Sequence, residues 1–506
     1  MGSDTAPSLW RSATFVSIAS GCSAASGMAV AAGLAYYFGA SHLTDALFMA
    51  QTIPMLLSKR LQIASLSRLL LPLAYTSQAV SSPDLIMPFI GQILGKLVLL
   101  ISLIVICIIG LIPWGIRILA PGFDPVTQAQ TALLAQVLLP TLVLSFICET
   151  LTVALHGRGA FKSASWVDIL VVWMNPILVW VFAGRWGIWA AVLGIWGWQL
   201  ARTVGLLIVA VRLGLVIQYR FSFWDAQIRA LGKTLAPLMI KSFTGEFHVI
   251  VIRLLASFLP TGLFSILSYA ERFSNGINQF LVSPVSSVVY PRLVDSAHAP
   301  AEFLQKLWKG IHAINFIIFP LGCIGLYLAP TAIELLFQRG GFGASDTLMA
   351  SNVLRLLLIG LFFQGYANCF LKGLYALRRT GEITKGILLH QAAVSLIALA
   401  LFKLFHVYGL ALALGLAPLL SGIFYAESIQ RLFQKQFVWL PPYAQPMHKG
   451  LLSLGLLVTW LGFGLLLSLV PWQVIGWGIV ALLLYLVSSW LLKMDESLDF
   501  CSAWRR

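Results

Sequence analysis

The chain has 506 residues, 59% of them hydrophobic and 10% charged, with a formal net charge of +15 at pH 7 and a mean hydropathy of +0.89. This balance leaves no room for a soluble catalytic domain and places the chain among multi-span membrane proteins. The basic excess sits mostly in short connections between apolar stretches, which argues against a nucleic-acid partner and fits cytoplasmic loops.

Within hydrocarbon the backbone must pair its own N–H and C=O groups, so only helices or a closed barrel can cross. Residues 97–111 and 480–492 are long continuous apolar runs, not alternating ten-residue ones, so the expected class is all-α and polytopic. In chain order the first six spans are expected at 14–38, 46–76, 86–118, 131–155, 165–184 and 187–213. Six more follow at 231–259, 262–294, 306–338, 345–377, 384–404 and 408–432, and two at 449–470 and 473–493. Only Arg11 precedes the first stretch, with Asp4 against it, and the stretch exceeds a signal-peptide core. It reads as a retained span.

Loop charge sets the orientation of these fourteen spans. Arg158 and Lys162 follow span four; Arg212, Arg220, Arg229 and Lys233 follow span six; Arg292, Lys306 and Lys309 follow span eight. Arg378, Arg379 and Lys385 follow span ten, and Arg431, Lys435 and Lys449 follow span twelve. The opposite turns at 39–45, 260–262 and 471–472 carry no Lys or Arg, with Arg185 and Arg339 as exceptions in other turns of that side. Even-numbered spans therefore end in the cytoplasm, where both termini are expected.

An internal repeat is visible. Leu71-Pro72-Leu73 and Tyr290-Pro291-Arg292 stand 219 positions apart, as do Gly122-Phe123 and Gly341-Phe342. Ala154-Leu155 and Ala376-Leu377 stand 222 apart. Each repeat holds six spans, so both enter from the same side and are parallel, as in transporters with two facing lobes. The expected lobes are residues 1–222 and 223–440, with 441–506 holding the last two spans and a cytoplasmic tail.

The six cysteines are scattered, without a CxxC or Cys/His cluster, so neither a disulfide framework nor a zinc site is indicated. Walker A, HExxH and GxSxG patterns are absent. No cofactor is expected; any work must come from Na⁺ or H⁺, the membrane potential or substrate supply.

Ionisable groups inside spans are functional candidates, because lipid disfavours them by several kcal/mol. Span seven carries Lys241, Glu246, His248 and Arg253; span eight carries Glu271 and Arg272; span two carries Lys59, Arg60 and Arg68. Glu246 and Arg253, seven apart on one face, are able to neutralise each other, and Arg253, Arg60 and Arg68 are able to snorkel to water. Arg272, about ten residues into its span, favours a water-filled cavity. Cations there suit an anionic substrate, phosphate best of all. Glu246, His248, Lys241 and Arg253 are the candidates for ion coupling. Pro54, Gly276 and Pro284 supply bending points in the same spans.

Several segments resemble the MurJ/MviN family. Residues 38–48, Phe-Gly-Ala-Ser-His-Leu-Thr-Asp-Ala-Leu-Phe, are similar to its FGA…TDAFF segment, and Ile53-Pro54-Met55-Leu56-Leu57 to its LPNLL. Tyr269-Ala270-Glu271-Arg272 resembles its YADR, and residues 336–342 its LFQ-x-G-x-F. The resemblance implies a flippase of the multidrug/oligosaccharidyl-lipid/polysaccharide exporter superfamily, with a cationic cavity for a diphosphate and a groove at the last two spans for the lipid tail. It assigns substrate contact to Arg272, Glu271, Lys59, Arg60 and Asp45. Charges that the family places in span one fall here on Ala24, Val30 and Ala31, and its arginine pair after LPNLL falls on Ser58 and Lys59.

The expectation is a transporter, not an enzyme: a multi-pass flippase of the cell inner membrane. It acts as a monomer among membrane lipids on an undecaprenyl-linked saccharide, with lipid II the default and a polysaccharide precursor the competitor. An ion-coupled small-molecule exporter and a non-transporting scaffold for cell-wall synthesis are the alternatives.

Overall fold

The computed structural model describes residues 6–65, 86–158, 160–215, 246–433, 455, 457–462 and 471–491. Every regular element among them is a helix. Seven of these helical stretches are long and apolar enough to cross a membrane. The first three spans appear as Ala6–Phe38, His42–Ser65 and Ile86–Leu119. Residues 66–76, the expected end of span two with Arg68, lie outside the described residues, as do 231–245 with Lys241 and most of span thirteen.

Span four begins at Pro125, six residues before its expected start. Asp124 explains the difference: its carboxylate accepts from the N–H groups of Val126 and Thr127 at 3.1 and 3.0 Å. Pro125 occupies the first helical position, where a missing N–H costs nothing. The span then breaks around Pro140 into Pro125–Leu138 and Thr141–Gly157. Span five is likewise two helices, Phe161–Val171 and Met174–Trp186, and span six is Trp189–Arg212.

Spans eight, nine and ten are Leu263–Asp295, Pro300–Phe337 and Ala344–Ala376. Spans eleven and twelve form the helical stretch Thr380–Phe433, broken at His406, whose φ of 47° leaves the helical region. The chain reverses there. A Cβ on Gly409 would meet the carbonyl oxygen of Leu401 at 2.6 Å, although eight helical residues would hold them about 12 Å apart. Span fourteen is Pro471–Leu491.

The chain forms two compact units, Met1–Ser265 and Ile266–Arg506. In the first, span one packs on span five, span two on span four, and span four on span six. Leu94, Leu151, Leu155, Leu206 and Ala210 form a buried cluster there. In the second, span ten packs between span nine and the Thr380–Phe433 stretch. Gly360 and Gly415 bring two backbones together: a Cβ on Gly360 would stand 2.7 Å from the Cα of Gly415. Such close approach between small residues is how helices gain contact in lipid, where burial alone drives little.

Span fourteen packs on span nine. Leu457 and Leu461 of span thirteen join Ala481 and Tyr485 of span fourteen in a cluster with Phe316, Ile324 and Tyr327. Trp460 and Trp477 stack at 4.3 Å, and the Trp477 indole N–H donates to the carbonyl of Trp460 at 2.8 Å.

Candidate functional site

Three turns meet at one end of the first unit, each following an odd-numbered span. Gly39–Ser41 leads into span two, and Thr44 bonds back to the carbonyl of Ser41 at 2.9 Å, holding that turn. One helical turn down, Asp45 is buried at 3% exposure. Its carboxylate accepts from the N–H of Gly262 at 2.6 Å and of Ser265 at 2.7 Å, and from the Ser265 hydroxyl at 2.5 Å. These are first-turn donors of span eight, which have no partner inside their own helix. A carboxylate at a helix N-terminus also meets the positive end of the backbone dipoles. Gly262 is required: its φ is +89°, and a Cβ there would meet the carbonyl of Ala40.

The same end gathers further contacts. The Gly122 N–H donates to Ser257 Oγ at 3.1 Å. Phe123 packs near Phe264, and the Arg253 guanidinium lies 5.1 Å above the Phe264 ring, a cation–π contact. Glu246 immediately precedes the helix Phe247–Ala256, and His248 lies in its first turn; both are partly buried.

In the second unit, Tyr269 is fully buried with its ring 5.4 Å from Phe337 and 5.7 Å from Phe342. The Tyr-Ala-Glu-Arg segment is therefore packed against the Leu-Phe-Gln-Arg-Gly-Gly-Phe segment, 64 or more residues away in sequence. Two stretches picked out separately by their resemblance are one structural feature. Glu271 and Arg272, partly buried, sit about two and a half turns into span eight, roughly 12–14 Å along its axis. Lys59 and Arg60 lie on the helix His42–Ser65. The placement of Lys241 lies outside the described residues.

Span one offers no charge where the family has one. Val30 is 6% exposed and Ala31 fully buried, while Ala24 is half-buried. Both buried positions belong to the hydrophobic core of the first unit.

Sequence reasoning passed over one ionic cluster. Arg202 of span six donates from Nε to Asp168 of span five at 2.8 Å and from Nη1 to Glu149 of span four at 3.2 Å. The side chains are 15%, 32% and 28% exposed in that order. Each lies inside an expected span, so the rule applied to spans two, seven and eight would have found them. Among the described residues no group of three His, Cys, Asp or Glu side chains is arranged to hold a metal.

The family model described as "Lipid II flippase MurJ" matches residues 34–486. The chain is 22% identical over 423 residues to a probable lipid II flippase MurJ of Buchnera aphidicola subsp. Baizongia pistaciae, covering 79% of each chain. It is 25% identical over 421 residues to one from Helicobacter pylori strain 26695, covering 78% of this chain and 86% of that one. Among solved structures it resembles a lipid II flippase MurJ in an inward closed conformation, with a TM-score of 0.78 at 18% identity over 95% of this chain and 98% of that one. An inward-facing multidrug resistance MATE family transporter shares the fold at a TM-score of 0.66 and 12% identity, over 83% and 95% of the two chains.

Proposed function

Since the chain belongs to the lipid II flippase MurJ family, we propose that it carries lipid II, or a closely related polyprenyl-diphosphate-linked saccharide, from the inner to the outer leaflet. The physical problem is the head group. Each unpaired amide or hydroxyl costs about 2–7 kcal/mol to move into hydrocarbon, and an ionised diphosphate far more. A polar path through the protein removes that cost while the polyprenyl tail stays in lipid.

The observation that carries the reading is the junction of Asp45 with Gly262 and Ser265. It joins the turn between spans one and two to the turn between spans seven and eight, the corresponding turn of the two repeats. In alternating access this junction is the outer closure, made while substrate enters from the cytoplasm and broken when it leaves. We assign Asp45 to that closure in place of the substrate contact expected from resemblance, because its carboxylate is buried and already accepts three hydrogen bonds.

Arg272 and Glu271, with Lys59 and Arg60, are the proposed head-group contacts; the planar guanidinium of Arg272 offers paired donors to phosphate oxygens. Glu246 and His248 are the proposed coupling groups, acting with H⁺ or Na⁺. The protein works as a monomer in the inner membrane with both termini in the cytoplasm.

The test is lipid II translocation by the purified chain in proteoliposomes, read by a labelled head group's accessibility. Time-dependent transfer above that of empty vesicles is expected. Transfer of a polysaccharide precursor but not lipid II would move the assignment to that substrate.

A further inference from the structure

A proline at position i has no N–H, so the carbonyl four residues earlier in its helix loses its donor. In hydrocarbon that carbonyl must find another. At three places among the described residues, a side chain from another span supplies it. The Ser26 hydroxyl donates at 2.7 Å to the carbonyl of Val172, four before Pro176, at the break where span five passes from Phe161–Val171 to Met174–Trp186. Gln136 Nε2 donates to the carbonyl of Ile109, four before Pro113, at 3.2 Å. Arg355 Nε donates to the carbonyl of Leu326, four before Pro330, at 3.2 Å.

The second and third are one device used twice. Pro113 lies in span three and Gln136 in span four; Pro330 lies in span nine and Arg355 in span ten. The donors stand 219 positions apart, the repeat offset of Gly122-Phe123 and Gly341-Phe342, and the prolines 217, two short of it. The donor atom is equivalent too. Gln Nε2 and Arg Nε are both the nitrogen bonded to Cδ, so each reaches the same distance from its helix.

We propose that these pairs are paired hinges of the transport cycle, with Arg355 a positioning residue that acts through the Leu326 carbonyl. The proposal rests on the flippase reading above. A kink closed by one side-chain bond bends without breaking the helix's remaining backbone ladder. Arg355 Nη1 also donates to Asn352 on its own span at 3.3 Å, which keeps the guanidinium anchored to span ten. Nε thus opens and closes against span nine from a fixed base. Neither partner is ionised, so the donor function alone accounts for these contacts, and Gln136 performs it without a charge.

The test uses the full-length protein in nanodiscs with four variants: P330A, R355Q, R355M and P330A/R355M. Amide hydrogen exchange over residues 326–334 and lipid II translocation are both read. R355M keeps the length of the side chain but donates nothing, and exchange should rise about three- to tenfold. R355Q should stay within about twofold of the parent, since it keeps the Cδ-bound nitrogen. In P330A/R355M the restored residue-330 N–H serves the carbonyl, and protection should return.

P330A should be well protected yet flip more slowly, on the order of fivefold, because the hinge has been straightened. A merely structural proline would instead leave the rate of P330A unchanged. Parent-like exchange in R355M, R355M-like exchange in R355Q, or full-rate flipping by P330A each overturns the proposal. A parent that moves no lipid II overturns the flippase reading and the transport hinge with it, whereas a parent that flips alongside an equally fast P330A overturns the hinge alone.

Discussion

Asp45 and Ser265 are bonded twice, backbone N–H and hydroxyl of the serine both donating to one carboxylate oxygen across 220 positions of sequence. Charge-assisted hydrogen bonds of this kind contribute about 1.5–3 kcal/mol each. Asp45→Asn keeps the shape and loses the charge, so thermal unfolding in detergent should report a loss of about 2 kcal/mol. Ser265→Ala removes only the hydroxyl bond and should cost about 1 kcal/mol. A cysteine placed at the 39–45 turn should label faster in Asp45→Asn than in the parent. Equal labelling would separate Asp45 from any closing role.

Arg272→Ala should abolish translocation while the melting midpoint stays within a few degrees of the parent. Arg272→Lys should restore part of the rate, since a point charge lacks the planar fork. An active Ala variant removes Arg272 from the diphosphate contact.

Arg202→Ala leaves Glu149 and Asp168 facing each other without their shared cation. Breaking a fully buried pair costs about 3–5 kcal/mol; with carboxylates about 30% exposed, about 2 kcal/mol is the expected loss. Adding Glu149→Gln and Asp168→Asn to the same chain should recover most of it. A triple variant no more stable than Arg202→Ala would show that the guanidinium matters through packing instead.

Span one supplies a contrast between two positions. Val30 sits at 6% exposure inside the first unit, so Val30→Arg buries a guanidinium and should lower expression of folded protein sharply. Ala24 is half-buried and should accept arginine. Ala24→Arg alone is expected to raise the translocation rate if the added cation reaches the diphosphate. Size-exclusion profiles and flipping rates of the two variants decide the matter.

Asp124 stands in the turn ahead of span four, and its pKa is held below the usual carboxylate value by hydrogen bonds from the Thr127 hydroxyl and N–H. A carboxylate depressed on folding contributes stability that is present above its ordinary pKa and lost as pH falls through the folded value. The melting midpoint should therefore drop on acidification below about pH 4, and less so in Asp124→Ala. Identical acid profiles for the two proteins would assign that drop to other carboxylates.

The spans were legible because apolar length is written directly in the chain. The break at 405–407 could be read for the same reason, whereas the turn expected at 39–45 already ends at Ser41, where the helix opens at His42. Pairing was not. Asp45 is visible as a charge near a span, but its partners lie 217 and 220 positions away and are mostly backbone, which carries no sequence signature. Glu149, Asp168 and Arg202 went unremarked, because each stands in a different span and only the packing of three helices brings them together. The start of span four was misplaced because hydropathy is blind to the capping geometry of Asp124 and Pro125. Tyr269 and Phe342 belonged to two recognisable segments, yet nothing in either said that they touch.

The shared position of the donor nitrogen in Gln136 and Arg355 also bears on how the two halves drifted apart. Glutamine codons CAA and CAG become arginine codons CGA and CGG through one base transition. Copies of a duplicated segment could exchange these residues in a single mutational step without ever leaving the proline-freed carbonyl unserved. After duplication, exchange in one copy therefore adds a cation while the proline-freed carbonyl keeps its donor. Loss of the proline by contrast would release the donor from selection, so in relatives the two positions should be inherited, and abandoned, together.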